Sequence, residues 1–373
     1  MRIGVPREIK NHEYRVGLTP TAVAELVRHG HQVCVEHGAG ASIGFTDDDY
    51  RSAGARMAGV EEVFSQSDMI VKVKEPQQAE RDRLGPQHVL FTYLHLAPDR
   101  PQTEGLLASG ALCIAYETVT DSRGGLPLLA PMSEVAGRMA VQAGAGCLEK
   151  ARGGRGVLLG GVPGVPRGKV VILGGGVVGS NALAMAVGMG ADVTVLDKNP
   201  DVLRQLDARY GNRINTLYST AGTLEEQLLG ADLVIGAVLV PGAAAPKLIS
   251  SDLVSRMQAG AVLVDVAIDQ GGCAQTSRAT THADPTFVVD EVVHYCVANM
   301  PGAVARTATQ ALNNATLPFV LALANKGAKR ALEEDEHLRH GLNVAAGKLT
   351  NASVGEALDI PVQSLEDALG SIS

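Results

Sequence analysis

A chain of 373 residues has room for two or three domains at roughly 150 residues each, and its 46% hydrophobic and 19% charged content reads as globular and not disordered. The net charge of −8 leaves no basic surplus for a phosphate polymer, and 3% aromatics with no Trp offers little for stacking on bases, so the composition argues against a nucleic-acid partner. The 43 glycines point to many tight turns or close backbone approaches to a ligand.

The N-terminus, MRIGVPREIKNHEYR, carries charges where a signal peptide needs an apolar core. RIGV (2–5) reads as a short strand. Thr19-Pro20 has the form of an N-cap followed by Pro at the first helical position, and AVAELVRHG continues as a helix that Gly30 ends. HQVCVE (31–36), MIVKVK (69–74), VLFTYLHL (89–96) and ALCIAYE (111–117) are strand-like, so strands alternate with helical stretches, the pattern of a largely parallel sheet covered by helices. SEVAGRMAVQAGAGCLEK (133–150) predicts a long helix of small residues, and GGRGVLLGGVPGVPRG (153–168) predicts a loop or hairpin. KVVILGGGVVGSNALAMAVGMGADVTVLDKN (169–199) reads as strand, Gly-rich turn, helix and strand. DLVIGAVLV (232–240) and AVLVDVAID (261–269) are further buried strands, 306–326 is a long helix, and the tail 333–373 reads as helical and more charged. The longest apolar runs are short and broken by Gly and Pro, so no membrane segment is expected. The five cysteines, Cys34, Cys113, Cys147, Cys273 and Cys296, form no CxxC pair, which fits a reducing cytoplasm without a disulfide framework. No His/Cys/Asp cluster has metal-ligand spacing, so no metal is expected.

Gly174-x-Gly176-x-x-Gly179 follows an apolar strand and opens a helix, the context that a dinucleotide fingerprint requires. Gly174 permits the tight turn, Gly176 lets the backbone approach a pyrophosphate, and Gly179 lets helix and strand pack closely. The helix N-terminus then offers free N–H groups and a partial positive charge to the phosphates. The next strand ends in Asp197, where a carboxylate meets the ribose hydroxyls and repels a 2′-phosphate, so NAD is favoured over NADP. Lys198 beside it softens that exclusion.

Ligands of parallel sheets bind beyond the carboxyl ends of the strands. That rule singles out Arg15 after the first strand, Lys74 at the end of MIVKVK, His95 near the end of VLFTYLHL and Asp269 at the end of AVLVDVAID. Two cations, a histidine and a carboxylate suit holding a small carboxylate and moving protons on the neighbouring carbon. By residue type alone each also fits a structural role. Arg15 suits a surface ion pair, one of Lys72 and Lys74 a solvated strand position, His95 a structural histidine and Asp269 a helix cap, with Asp265 a rival on the same strand.

Together MRIGVPREIKNHEYRVGLTP, MIVKVKEP, YLHLAPD, PMSEVAGRMAVQAGA, VVILGGGVVG, GAVLVPGAAAPKLI, VLVDVAIDQGGC and YCVANMPGAV resemble the alanine dehydrogenase family, which is shared with the NAD-binding subunit of proton-translocating transhydrogenase. The resemblance covers essentially the whole chain. It implies an α/β fold of two Rossmann-like domains with parallel sheets around a cleft, linked by long helices at 133–150 and 306–326. Residues 1–128 with 307–373 would form the substrate domain and 129–306 the NAD-binding domain. The implied reaction is reversible oxidative deamination of L-alanine to pyruvate and ammonia. Arg15 would grip the substrate carboxylate, Lys74 would bind the carboxylate or carbonyl oxygen, His95 would be the acid/base, and Asp269 would orient the attacking water or ammonia. For NAD, Gly174, Gly176, Val177, Val178 and Gly179 would take the pyrophosphate and Asp197 the ribose. Ser133, Ser219, Val238, Leu239, Ile268, Asp269, Arg278, Ala298, Asn299, Met300 and Pro301 match family contacts to the cofactor. Val202 departs from the pattern, since the family often places a basic residue there. A transhydrogenase-type subunit without a small substrate is the alternative, and the set Arg15, Lys74, His95 and Asp269 speaks against it. The family also implies a homo-hexamer, while cysteine usage, charge and the short apolar runs give the expectation of a cytoplasmic protein with no nucleic-acid or membrane partner.

Overall fold

Short β-branched runs bounded by Gly, Pro and polar turns become strands in both halves of the fold. The structure, a computed structural model, describes residues 1–238 and 245–372. The chain divides into two units, Met1–Met132 with Val304–Ser373, and Ser133–Ala303.

The first unit holds an eight-stranded sheet. Its strands are β1 (Arg2–Val5), β2 (Gln32–Glu36), β3 (Arg56–Ala58), β4 (Met69–Val71), β5 (Val89–Thr92) and β6 (Leu112–Ala115), joined by β14 (Leu342–Ala345) and β15 (Lys348–Leu349) from the C-terminal segment. The order is β15-β14-β6-β5-β4-β1-β2-β3. β1 to β6 pair in parallel, while β14 runs antiparallel to β6 and β15 antiparallel to β14. The tail is therefore not purely helical: two short strands complete the sheet begun by the first hundred residues. The helix Pro20–Arg28 starts as its sequence predicts, with Thr19 accepting a hydrogen bond from Ala22 N and Pro20 in the first turn. The 22-residue helix Ala305–Lys326 fastens the segment before it, since Asn313 Oδ1 accepts from Thr19 N at 3.0 Å and Asn313 Nδ2 donates to Gly17 O at 3.1 Å.

The second unit holds a seven-stranded sheet built from β7 (Lys169–Leu173), β8 (Asp192–Asp197), β9 (Asn215–Tyr218), β10 (Leu233–Gly236), β11 (Val262–Asp265), β12 (Thr286–Val289) and β13 (Val292–Tyr295). The order is β12-β13-β11-β10-β7-β8-β9, all parallel except for β12 on the β13 edge. Alternation along the strands divides the core in two. Val170, Ile172, Val193, Val195, Leu233 and Ile235 pack in one layer, and Val171, Leu173, Leu196, Val234 and Leu263 in the other. Both faces are covered, which is why these strands read as unbroken apolar runs.

Apart from their edge strands, the two sheets share one order. β3-β2-β1-β4-β5-β6 in the first unit and β9-β8-β7-β10-β11-β13 in the second both follow the dinucleotide-fold arrangement, and each reverses direction between its first and fourth strands. The crevice at that reversal is where such sheets bind ligands.

An ionic cluster sits beneath the reversal in the first unit. Lys72 is fully buried, and its ammonium donates to Glu8 Oε2 at 3.1 Å and Glu80 Oε1 at 2.6 Å. Burial disfavours the ammonium, but the two carboxylates outweigh it and hold its pKa above the ordinary lysine value. The lysine side of the pairing is lost as pH rises through that raised value, and the Glu8 side as pH falls, since burial pushes the Glu8 carboxyl above the usual carboxylate range. Lys72→Met strands two carboxylates in the core and should destabilise the protein by about 3–5 kcal/mol, read by urea unfolding followed by circular dichroism. An unchanged unfolding midpoint would contradict this account of the cluster.

Candidate active site

The residues singled out in the first unit leave the sheet where its order reverses. β4 ends at Val71, earlier than the run MIVKVK predicts, and Lys72 to Glu75 form the exit. Partial pairing continues there, with Lys72 N bonded to Phe91 O and Tyr93 N to Val73 O. Glu8, from the exit of β1, accepts from Val73 N at 2.7 Å and Lys74 N at 3.4 Å. This staples the β4 exit to the β1 exit. Lys72 and Lys74 part company here: Lys72 is buried in the ionic cluster, whereas Lys74 is half-buried.

Arg15 is not a surface ion-pair residue. It is 2% exposed and bidentate with Glu13, Nε to Oε1 at 2.7 Å and Nη2 to Oε2 at 2.5 Å. Its Nη1 points to Met132 Sδ at 3.0 Å. Burial opposes the charge, and the Glu13 carboxylate more than offsets it, so the guanidinium stays protonated. A planar guanidinium fork is the group that recognises carboxylates in a bidentate fashion.

His95 follows β5, which ends at Thr92. Its ring is 43% exposed and its backbone is left-handed, φ +48°. A histidine held there is uncommon, and Glu117, at the exit of β6, holds it by accepting from His95 N at 2.6 Å and Leu94 N at 3.1 Å. Tyr93 lies beside the His95 ring, centroids 5.7 Å apart, and donates its hydroxyl to Leu128 O at 2.6 Å. Burial pushes the Tyr93 phenol up, which keeps it a neutral donor.

Sequence reasoning passes over Glu8, Glu13, Glu75 and Glu117, the carboxylates that orient these cations and this histidine. Each lies in the exit segment of β1, β4 or β6, which is the one signal that marks them. Glu75 faces Lys10, Lys74 and His95. Burial would raise its carboxyl, but His95, Lys74 and Lys10 prevail and hold it well below the usual carboxylate range.

In the second unit the Gly174 turn follows β7 and the helix Val177–Gly188 begins with Gly176 as its N-cap. Gly174 has φ +96°, and a Cβ there would meet Ala237 O at 2.9 Å. A Cβ on Gly179 would lie 1.7 Å from Gly174 O, so only glycine permits this packing. A Cβ on Gly176 would meet nothing within 4 Å, which leaves its backbone open to a phosphate. Val177 is exposed and Val178 buried at the start of the helix. Asp197 ends β8, with Oδ2 accepting from Gly175 N at 2.6 Å and Oδ1 from Asn199 N at 2.7 Å. The carboxylate is therefore fixed beside the turn, and these groups fit a dinucleotide pyrophosphate and its ribose. Val202 lies against Gly175, giving this corner an apolar contact in place of a basic one.

Ser219 follows β9, and its N–H donates to Asp197 O at 3.0 Å. Val238 follows β10 and abuts Gly174, while Leu239 lies outside the described residues. β11 ends at Asp265, so Asp269 does not end a strand. It is exposed on a 3-10 turn, Val266–Gln270, that also carries the buried Ile268. The cap is Asp265, fully buried, which accepts from Ala267 N, Cys273 N and Ser277 Oγ at 3.2, 2.8 and 2.6 Å. Asp265 thus shapes the turn and Asp269 is presented on it. Arg278 stacks over Phe287 at 4.1 Å. Ala298 and Asn299 are half-buried and Met300 and Pro301 buried, and Asn299 is left-handed at φ +66°. Ser133 is half-buried on the helix Ala130–Cys147.

Two family models match this chain: the Alanine dehydrogenase/PNT N-terminal domain over residues 4–136 and the Alanine dehydrogenase/PNT C-terminal domain over residues 140–352. Alanine dehydrogenase of Halomonas elongata is 61% identical over 99% of this chain and 100% of its own length. That of Mycolicibacterium smegmatis is 54% identical over 97% and 98% respectively. Among solved structures, an L-alanine dehydrogenase superposes with TM-score 0.94 at 54% identity, covering 96% of this chain and 99% of that one. A transhydrogenase from Sinorhizobium meliloti shares the fold, with TM-score 0.81 at 22% identity over 95% of this chain and 100% of that one. The chain belongs to the alanine dehydrogenase/PNT family.

Proposed function

We propose that the chain is an NAD-dependent amino-acid dehydrogenase that converts L-alanine reversibly to pyruvate and ammonia. The observation that carries this reading is the gathering of Arg15, Lys74 and His95 at the order reversal of one sheet, in a chain that aligns end to end with alanine dehydrogenases. Bound NAD supplies the hydride acceptor, and its reduced form supplies the donor for the reverse reaction.

We assign residues 129–306 to the cofactor and residues 1–128 with 307–373 to the substrate. The open backbone at Gly176, the N–H groups of Val177 and Val178, and the fixed Asp197 carboxylate support the cofactor assignment. Ser133, Ser219, Val238, Ile268, Arg278 and Ala298 to Pro301 are assigned to the same ligand by family resemblance. Arg15 binds the substrate carboxylate through its guanidinium, and Lys74 neutralises the carboxylate or polarises the carbonyl oxygen. His95 takes a proton from the water that adds to the imine carbon, and returns it in the reverse direction. Asp269 orients that water or ammonia and stabilises the cationic carbon–nitrogen centre. Further residues speak for a homo-oligomer, a hexamer by family resemblance: Leu158 is 65% exposed, and Val162 and Val165, bridged across a turn a few residues on, are 53% and 58% exposed, apolar surface suited to a second copy. The buried, unpaired state of all five cysteines suits a cytoplasmic setting.

His95→Ala should lower kcat for L-alanine at least ~10²-fold, the usual cost of losing an acid/base group, and near-normal turnover would overturn the assignment. Deamination should quicken toward alkaline pH because the substrate amine must lose its proton, and a flat profile of kcat/KM would contradict that order of steps. Asp197→Ala should weaken NADH binding by roughly 10- to 100-fold, the worth of lost hydrogen bonds to a charged group, and should narrow the preference over NADPH. Fluorescence titration with both cofactors checks this, and unchanged binding of both would remove Asp197 from the ribose site.

A further inference from the structure

The exit of β4 sets Glu75 directly after Lys74. The Glu75 side chain is 11% exposed, and its Oε1 is paired with the Lys10 ammonium from the β1 exit. Its Oε2 is buried and has no hydrogen-bond partner among the described residues, yet it faces His95 Nδ1 at 3.6 Å. A buried carboxylate oxygen left without a donor is costly, so its aim at a ring nitrogen calls for a reason. The distance is that of an ion pair, a few tenths of an ångström beyond a hydrogen bond. Lys10 and Lys74 lie beside Glu75, and Tyr93 and Glu117 lie beside His95. Of these, Glu117 is engaged by the backbone N–H groups of Leu94 and His95, Tyr93 packs beside the ring, and Lys10 holds the far oxygen of Glu75. Glu75 Oε2 is thus the acceptor aimed at Nδ1. The cations around Glu75 keep it an anion, so it accepts and does not donate.

We propose that Glu75 is a positioning residue for His95: its Oε2 receives the Nδ1–H, which fixes the ring and leaves Nε2 as the nitrogen that exchanges the substrate proton. The proposal rests on His95 as the acid/base. In neutral imidazole one nitrogen carries the proton and the other accepts, so a bond at Nδ1 selects the tautomer whose Nε2 lone pair is free. When water adds to the imine, Nε2 takes the water proton and the ring becomes imidazolium. The Nδ1–H stays on the ring, Glu75 supplies counter-charge without becoming protonated, and in the reverse direction Nε2 gives the proton back.

The test uses the full-length protein and its variants Glu75→Gln, Glu75→Asp and His95→Gln, with steady-state kinetics across pH and NADH titration. Glu75→Gln should lower kcat by roughly 10- to 100-fold, the effect of losing the carboxylate behind a working histidine. The KM for L-alanine and the NADH affinity should stay within about twofold. The inflection of the kcat/KM profile that His95→Gln abolishes should move to lower pH in Glu75→Gln, because the imidazolium loses its counter-charge. Glu75→Asp, which keeps the charge on a shorter arm, should recover part of kcat and shift the inflection less. Wild-type kcat and profile in Glu75→Gln would overturn the proposal, as would a loss of kcat with a raised KM and an unmoved inflection. If Glu75→Gln does not fold, as shown by lost NADH binding, Glu75→Asp carries the test: a normal profile with normal kcat overturns the proposal. If His95→Gln itself keeps wild-type turnover, the acid/base reading has failed; if only the Glu75 variants are silent, the positioning role alone has failed.

Discussion

A lysine ammonium enclosed between two buried carboxylates sets the geometry of the first unit. Lys72 with Glu8 and Glu80 lies beneath the point where the sheet order reverses. Such a cluster contributes little net stability relative to an apolar core of the same volume, because desolvation nearly cancels the attraction. Its effect is geometric. Glu8 reaches across from the β1 exit to the Lys72 ammonium and to the N–H groups of Val73 and Lys74. Two loops that carry candidate substrate groups are thereby held by one side chain, and neither can shift without unpairing a buried charge. The Glu13–Arg15 pair repeats the device one loop away, with the guanidinium plane fixed by a bidentate contact.

The two units use one strand order for opposite electrostatics. In the second unit the reversal presents neutral backbone: a glycine turn, the N-terminus of the helix Val177–Gly188, and one carboxylate held by Gly175 N. That surface suits a pyrophosphate and a ribose, where partial charges and close approach matter more than full charges. In the first unit the reversal presents Arg15, Lys74 and His95 over buried acids, a surface suited to a small carboxylate and a moving proton. Two non-glycine residues in left-handed backbone, His95 and Asn299, lie among the residues assigned to the ligands. Strain of that kind persists where surrounding bonds over-determine it, as Glu117 does for His95.

What the sequence made legible was local. Gly174, Gly176, Gly179 and Asp197 sit in one strand–turn–helix–strand segment, and their roles follow from spacing within it. Strand ends were less legible. MIVKVK, VLFTYLHL and AVLVDVAID continue as apolar or alternating runs past Val71, Thr92 and Asp265, where the regular strands end. Asp269 therefore read as the end of a strand although it stands on a 3-10 turn, and Asp265 read as its rival although it caps that turn. β14 and β15 were invisible because strands of four and two residues leave no period, and the pairing of β14 with β6 spans more than two hundred residues. The buried acids escaped for the same reason: Glu8 and Lys72 are 64 positions apart, and no local pattern couples them. The family resemblance carried the residue roles that local pattern left open.

Oxidation of L-alanine at its α carbon, with NAD as the hydride acceptor, is the chemistry that both units serve. The most direct measurement is to incubate the protein with NAD and Cα-deuterated L-alanine and to follow pyruvate formation, reduced cofactor and the fate of the deuterium. Pyruvate and reduced cofactor should form in equal amounts, with the deuterium recovered in the reduced cofactor and no product from D-alanine. Cofactor binding without any turnover of L-alanine, or NADH formed with the deuterium lost to water, would contradict it.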